Sequence, residues 1–177
     1  MTRFAFGVVV GVLLVPAVVY VYLNSGRAPA AASDPPMPFE KQITRKALHA
    51  RMDNEIPTHS PIEVSEVAYL AGVRVYRANC AMCHGLPGQR PPVIAKGMFP
   101  PAPQLLEKDE MVTDDPPGET FWKAKNGIRL TGMPGFKRSL STDEMWQVSL
   151  LLANADKLPP AVQQALAAPI SRATSAK

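Results

Sequence analysis

The sequence contains little cysteine, little histidine and few aromatic residues. It has two cysteines and three histidines among 177 residues, and neither residue type occurs after His84. A structural zinc site needs four ligands, usually from two Cys/His pairs, so this scarcity argues against such a site. With two Trp, four Tyr and six Phe, a large core of protein side chains alone is not indicated. A bound hydrophobic group would help to fill one.

The chain also lacks a strong excess of charge. Its formal net charge is +4, from 19 basic and 15 acidic residues. Residues 1–27 contribute Arg3 and Arg27 and no acid, which leaves 17 basic and 15 acidic residues in the remainder. These charges are interspersed, without a basic run or interleaved aromatic residues. We therefore expect no nucleic-acid partner.

Alternating strand patterns and internal repeats are absent as well, whereas proline is abundant. There are 19 prolines in 177 residues, which is about twice the typical share of roughly 5%. This composition favours a small all-α fold with long ordered loops and extended linkers.

A long apolar stretch opens the chain. Residues 4–23, FAFGVVVGVLLVPAVVYVYL, carry no charge, and twenty helical residues span roughly 30 Å, the hydrocarbon thickness of a bilayer. We predict a membrane anchor over residues 1–23. The alternative is a cleaved signal peptide, whose apolar region is usually about 7–15 residues long, with APAAA at 28–32 as its cleavage site.

The remainder divides into three predicted segments. Residues 24–60 form a tether rich in Pro and Ala, within which 39–52 has the pattern of a short amphipathic helix. An ordered domain follows over 61–156. Residues 157–177 form a tail, with a further short helix predicted at 159–168.

Capping patterns predict where the first helix of the ordered domain begins. Ser60, Pro61 and Glu63 form the pattern of a capping box with proline at the first helical position. We predict a helix from there to about residue 78.

Two more helices follow from similar signals. Residues 117–125 are predicted to be helical and to end before Gly127, because glycine suits a helix C-terminus. Residues 140–155 are predicted to form the last helix of the ordered domain, with Ser141 and Glu144 as its capping box.

Both cysteines lie in the segment Cys80-Ala81-Met82-Cys83-His84. Such a pair can belong to a zinc half-site, a redox dithiol or a covalent haem attachment. A zinc site would find no further cysteine or histidine after His84, and His49 and His59 lie upstream in or beside the tether. A thioredoxin-like dithiol needs a βαβ setting that is absent here. The pattern therefore predicts one covalently bound haem c, with thioether bonds to Cys80 and Cys83 and an iron–imidazole bond to His84.

A second iron ligand is expected among the methionines after His84. Met145 lies in a predicted helix core, and Met98 and Met111 lie in loops where methionine often fills gaps. Met133 lies in Thr131-Gly132-Met133-Pro134, where glycine allows close approach and proline stiffens the turn. This context favours Met133, and a family resemblance supports the choice.

About residues 64–155 resemble a class I c-type cytochrome, in particular the single-haem domains of membrane-anchored carriers and oxidase subunits. The resemblance implies the cytochrome c fold around one haem. It depends on Gly72, Tyr76, C-A-M-C-H, PPAPQL at 100–105, NGIRLTGMPGF at 126–136 and LSTDEMWQV at 140–148.

The resemblance also implies particular contacts. The first and last helices of the domain would cross near Gly72, and the carbonyl of Pro103 would accept a hydrogen bond from His84 Nδ1. Trp122 would pack on the haem edge or bond a propionate, with an ordinary core tryptophan as the alternative.

Two axial protein ligands suit outer-sphere electron transfer. We therefore expect a one-electron carrier between redox proteins of a respiratory chain, neither an enzyme nor a binder of a small-molecule substrate. One alternative is a fixed electron-entry subunit of a terminal oxidase or dehydrogenase. Another is a haem peroxidase or gas sensor in which Met133 is displaced.

The resemblance implies the location of the domain, because this family acquires its haem outside the cytoplasm. Residues 24–177 would then lie on the periplasmic side of a bacterial inner membrane, with the N-terminus inside. Arg3 and Arg27 flank the apolar stretch on opposite sides and do not decide its orientation. The alternative is a soluble periplasmic protein after signal cleavage.

Overall fold

The computed structural model describes residues 2–168, which contain α-helices and one short 3₁₀ helix but no strand. The predicted all-α fold class is confirmed. Residue 1 of the predicted anchor and residues 169–177 of the predicted tail lie outside the described residues. The α-helices, in chain order, are α1 Thr2–Asn24, α2 Glu40–Met52, α3 Glu66–Asn79, α4 Ala81–His84, α5 Val93–Lys96, α6 Pro117–Asn126, α7 Thr142–Ala153 and α8 Pro160–Ala167.

The chain divides into two compact units, Met1–Arg45 and Lys46–Lys177. The first unit contains α1, and the segment Arg3–Asn24 is long and apolar enough to cross a membrane. Its apolar side chains are exposed, as expected of a helix whose surroundings are lipid. A signal sequence near an N-terminus has the same length and composition.

The core of the second unit forms where α3 crosses α7. A Cβ atom added to Gly72 would collide with the carbonyl oxygen of Gln147 and lie 2.8 Å from its carbonyl carbon. Glycine is therefore required for this close approach, as the resemblance implies. Tyr76 and Leu151, both 0% exposed, belong to the buried cluster around the crossing.

The N-terminus of α3 corrects the sequence prediction. The helix begins at Glu66, and its cap is Ser65, whose side chain accepts a hydrogen bond from the Ala68 amide. Ser60 does not cap this helix, because its hydroxyl bonds the backbone of Ile62 in a local turn. Serine often uses its hydroxyl in this way and thereby competes with helix formation.

The predicted capping box of α7 and the predicted end of α6 agree with the structure, although α7 begins at Thr142 and not at residue 140. In α7, the Ser141 side chain accepts from the Glu144 amide and the Glu144 carboxylate accepts from the Ser141 amide, so the capping box is confirmed. The α6 helix ends at Asn126, one residue before Gly127, whose φ is 68°. Stacking of Phe121 on Trp146, with ring centroids 4.2 Å apart, joins these two helices.

The second unit includes the end of the predicted tether. Met52 is 1% exposed, and the carbonyl of Pro57 lies against Gly118, where a Cβ would collide with it. Burial of the Met52 side chain stabilises this packing, which the prediction of a tether rich in Pro and Ala did not include.

The unit also extends past residue 156. In α8, Val162 is 0% exposed and Leu166 is 3% exposed, and both belong to the main buried cluster. The Arg77 guanidinium donates hydrogen bonds to the carbonyls of Leu166 and Ala168, at 2.9 and 2.7 Å. The contacts therefore reach beyond the predicted 61–156 on both sides.

Candidate haem site

The Cys-Ala-Met-Cys-His segment continues directly from α3. The amide of Cys80 donates to the Tyr76 carbonyl at 2.8 Å, and the amides of Cys83 and His84 donate to the Cys80 carbonyl at 3.0 and 2.9 Å. These bonds close one helical turn, α4, in which residues three apart lie on the same face. The turn therefore brings the two thiols together on one face.

Both cysteines are free thiols. Burial, and secondarily the neighbouring Cys83, raises the pKa of the Cys80 thiol to about 12. A redox-active dithiol needs a lowered thiol pKa, because the thiolate is the nucleophile. The environment of Cys80 therefore argues against the redox alternative.

The ring of His84 is oriented by a backbone carbonyl. Its Nδ1 lies 2.7 Å from the carbonyl oxygen of Pro103. A carbonyl can only accept, so Nδ1 carries the proton and Nε2 keeps its lone pair when the ring is neutral. Burial lowers the pKa of His84, against a smaller opposing effect of the Pro103 hydrogen bond. The ring is thus held in the state that a metal ligand requires.

Tyr76 supports the same segment from α3. Its hydroxyl is within hydrogen-bond distance of the carbonyls of His84 and Gly85, at 3.1 and 2.9 Å. Burial raises the pKa of Tyr76, so its hydroxyl stays protonated and can donate. Tyr76 is one of the residues that carry the family resemblance, but its hydrogen bonds were not predicted.

Gln104 is a second missed contributor. It is 8% exposed, and its Nε2 donates to the carbonyls of Cys83 and Ala102 at 3.3 and 3.1 Å. Its amide donates to the Glu110 carboxylate. Gly85, with φ of 70°, leaves the space that the Gln104 side chain fills. In the sequence, a glutamine next to Pro103 gave no signal that it would be buried.

Met133 lies in the loop of residues 128–135, called the Met133 loop below, which hydrogen bonds within it close. The Ile128 amide donates to the Met133 carbonyl at 3.2 Å, and the Met133 amide donates to the Thr131 hydroxyl oxygen at 3.1 Å. A Cβ at Gly127 would lie 2.6 Å from the Gly135 nitrogen, so this position requires glycine. Met133 is half-buried, and these bonds define its backbone position.

Trp122 is held by the chain itself. It is 8% exposed, and its Nε1 donates to the Glu55 carboxylate at 2.9 Å. Glu55 also pairs with Arg51 at 2.6 Å. An indole has a single N–H, so a bond to a propionate would have to replace the bond to Glu55. Glu55 was missed because it lies in the predicted tether.

The other three methionines after His84 have different surroundings. Met145 is 3% exposed and packs with Phe121 and Trp146, so the core position predicted for it is confirmed. Met98 and Met111 are half-buried in loops.

The donor set fits a covalently bound haem. Two thiols lie on one helical turn, followed directly by a histidine whose Nδ1 is hydrogen-bonded. Residues 2–168 contain no group of three or more His, Cys, Asp or Glu side chains that could hold a metal ion alone. The two thiols would hold a haem through thioether bonds, and its iron would be held by the porphyrin and by His84.

An all-α domain organised around this segment is a class I c-type cytochrome domain, and its cofactor is covalently bound haem c. Residues 67–150 match the family described as cytochrome c oxidase, cbb3-type, subunit III.

One solved structure that matches part of this chain is that of the Kuenenia stuttgartiensis reducing HAO-like protein complex Kustc0457/Kustc0458. The two chains are 22% identical with a TM-score of 0.47, and the match covers 56% of this chain and 49% of that chain. This chain therefore spans about half the length of that relative. The comparison with curated proteins gives no match.

Proposed function

We propose that this protein is a membrane-bound one-electron carrier whose haem iron is ligated by His84 and Met133. A c-type cytochrome domain has a role in electron transfer, and bound haem supplies the Fe(III)/Fe(II) couple. The observation that carries the proposal is the hydrogen bond from His84 Nδ1 to the Pro103 carbonyl, at 2.7 Å. It orients the imidazole and directs the Nε2 lone pair away from Pro103.

The surroundings of His84 support a ligand that does not move. Gln104 donates to the carbonyl of Cys83, and the single O–H of Tyr76 is shared between the carbonyls of His84 and Gly85. An electron carrier benefits from such rigidity, because a site that changes little between oxidation states loses little energy to reorganisation. The site's groups are arranged before an electron arrives.

The Met133 loop supports ligation from the second side. Hydrogen bonds within the loop hold both the amide and the carbonyl of Met133. Two protein ligands would leave no axial position for oxygen or peroxide, and methionine ligation raises the reduction potential. We therefore propose electron transfer between redox proteins, without a small-molecule substrate and without catalysis.

The proposed location is a bacterial inner membrane, with α1 as the anchor and the haem domain on the periplasmic side. Exposure of the α1 side chains and the length of the helix support the anchor. A soluble periplasmic protein remains the alternative if α1 is cleaved.

Ligation by Met133 is tested by absorption spectroscopy of the oxidised holoprotein. We expect the weak near-infrared band of a methionine–iron(III) bond, and we expect Met133→Ala to abolish it. Met111→Ala is the matched control, since Met111 is also half-buried in a loop, and it should retain the band. If the band is absent from the wild type, the peroxidase or gas-sensor alternative gains support; if it persists in Met133→Ala, the ligand is a different residue.

A fixed electron-entry subunit is the second candidate, and the match to an oxidase subunit family favours it. Gentle solubilisation of membranes, followed by sizing of the haem-bearing species, distinguishes the two. A single small species would support the mobile carrier. Co-migration of all the haem with a large oxidase or dehydrogenase would support the fixed subunit.

A further inference from the structure

Met98 packs beside the Met133 loop, at Gly132. The three atoms nearest to the Cβ position of Gly132 all belong to Met98: Sδ and Cε at 2.8 Å and Cγ at 3.3 Å. Gly132 directly precedes Met133. The thioether of Met98 therefore fills the space that any side chain at position 132 would occupy.

This contact comes from the same loop that carries Pro103. Met98 lies five residues before Pro103, the residue whose carbonyl accepts from His84. Its backbone is anchored just after α5, where the Met98 amide donates to the Ala95 carbonyl at 3.4 Å, and Ala95 is 2% exposed. One proline-rich loop thus contacts the segments of both proposed ligands.

Methionine suits this role because its side chain is long, unbranched and polarisable, so it fills an irregular gap closely. The hydrogen bonds of Thr131 and Ile128 define the shape of the Met133 loop internally. These bonds do not connect the Met133 loop to the proline-rich loop. The packing of Met98 against Gly132 makes that connection.

We propose that Met98 is a positioning residue for Met133. Its thioether packs against Gly132 and holds the Met133 loop closed toward the proposed iron ligand position. This inference depends on the proposed His84 and Met133 ligation. It also explains why glycine, whose φ is not unusual here, occupies position 132: a Cβ would displace Met98.

The test measures how easily Met133 is displaced. Added imidazole competes with Met133 for the oxidised iron, so its apparent Kd falls when the loop opens more often. We expect Met98→Ala to lower this Kd about tenfold, equivalent to about 1.4 kcal/mol. Met98→Leu conserves volume and should stay within about threefold of the wild type. Met111→Ala is the matched control and should leave the Kd unchanged.

A double-mutant cycle tests the contact itself. Gly132→Ala places a Cβ against Met98 and should also lower the imidazole Kd. In a Met98→Ala background that collision is gone, so Gly132→Ala should have a much smaller effect. This non-additivity is expected only of residues in contact.

The outcomes separate this inference from the proposed ligation. If Met133→Ala keeps the methionine–iron band, the ligation is wrong and the inference falls with it. If Met133→Ala loses the band while Met98→Ala behaves like Met111→Ala, the ligation stands and the role of Met98 is overturned. Additive effects of Met98→Ala and Gly132→Ala would also overturn it. If Met98→Ala does not assemble, Met98→Val replaces it with the same expected direction.

Discussion

The segments around His84 and Met133 are built in different ways. The backbone next to His84 is held by buried side chains from elsewhere in the fold, namely Tyr76 and Gln104. The Met133 loop is held by bonds within itself, by backbone hydrogen bonds that the residues just after it make to the end of α6, and by the side chain of Met98. A ligand whose segment is held by buried side chains should resist displacement more than a ligand on a loop held largely by its backbone. The comparison predicts where the site is rigid and where it is adjustable.

The largest effect is expected on the covalent attachment of haem, which should depend on the cysteines and not on Met133. Replacing Cys80 and Cys83 together with Ala should abolish covalent haem, because both thioether bonds depend on these thiols. Met133→Ala should keep all its covalent haem. Haem staining after denaturing electrophoresis measures both, and staining of the double cysteine variant would contradict the assignment.

The second expected effect concerns the helix crossing that supports the His84 side. Gly72→Ala adds a Cβ against the backbone of Gln147, and such overpacking should cost about 1–3 kcal/mol of unfolding free energy. Gly97→Ala is the matched control, since its Cβ would find its nearest neighbour at an ordinary 3.7 Å. Urea denaturation measures both, and equal losses would show that the crossing is not tightly packed.

A third experiment compares the two sides directly. Tyr76→Phe removes the hydroxyl near the carbonyls of His84 and Gly85, and should cost about 1–2 kcal/mol of stability with little change in imidazole affinity. Thr131→Val removes the hydroxyl that accepts from the Met133 amide. It should cost little stability and should lower the Kd for imidazole a few-fold.

The control for Tyr76→Phe is Tyr69→Phe. Tyr69 is 7% exposed, and its hydroxyl has no hydrogen bond within residues 2–168, so its removal should matter less. If Tyr76→Phe increases imidazole affinity more than Thr131→Val does, the two sides do not differ as proposed.

The smallest effect is expected away from both segments. Ser141→Ala removes the α7 cap and should cost about 1 kcal/mol at neutral pH, with imidazole affinity unchanged. Hydrogen bonds from Ser141 hold the pKa of Glu144 below its ordinary 4.5. The part of this contribution that depends on the Ser141 hydroxyl is therefore complete above pH 4.5 and is lost as the pH falls through the lowered value. The stability difference between the wild type and Ser141→Ala should shrink at acidic pH but persist, because the bond from the Glu144 amide to the Ser141 hydroxyl oxygen does not titrate. Denaturation curves at neutral and acidic pH measure this change.

Features that depend on short spacing could be predicted from the sequence. The Ser141 and Glu144 box needs only residues three apart, and the attachment segment spans five residues. The Ser60 prediction had the same form but was wrong, because its hydroxyl bonds Ile62 and Ser65 caps the helix instead. Two serines near one helix start cannot be ranked by spacing alone.

Features that depend on distant contacts could not be predicted in this way. Gln104 and Met98 act on segments about 20 to 35 residues away in the chain. Gln104 lies in the PPAPQL motif of the resemblance, but no local pattern predicts the contacts of either residue. The bond from His84 to Pro103 was expected only because the family resemblance implied it. Burial of Met52 depends on a surface that exists only after folding.

The packing of Met52 and Pro57 on the haem domain has a consequence for its range of motion. If residues 25–60 were all free, a chain of 36 residues could extend about 120 Å, at roughly 3.3 Å per residue. With α2 formed and its end packed, the extended part of the connector is residues 25–39, and its greatest extension is about 50 Å. If α1 is retained as the anchor, as proposed, this shorter connector would raise the effective concentration of membrane-resident partners around the haem.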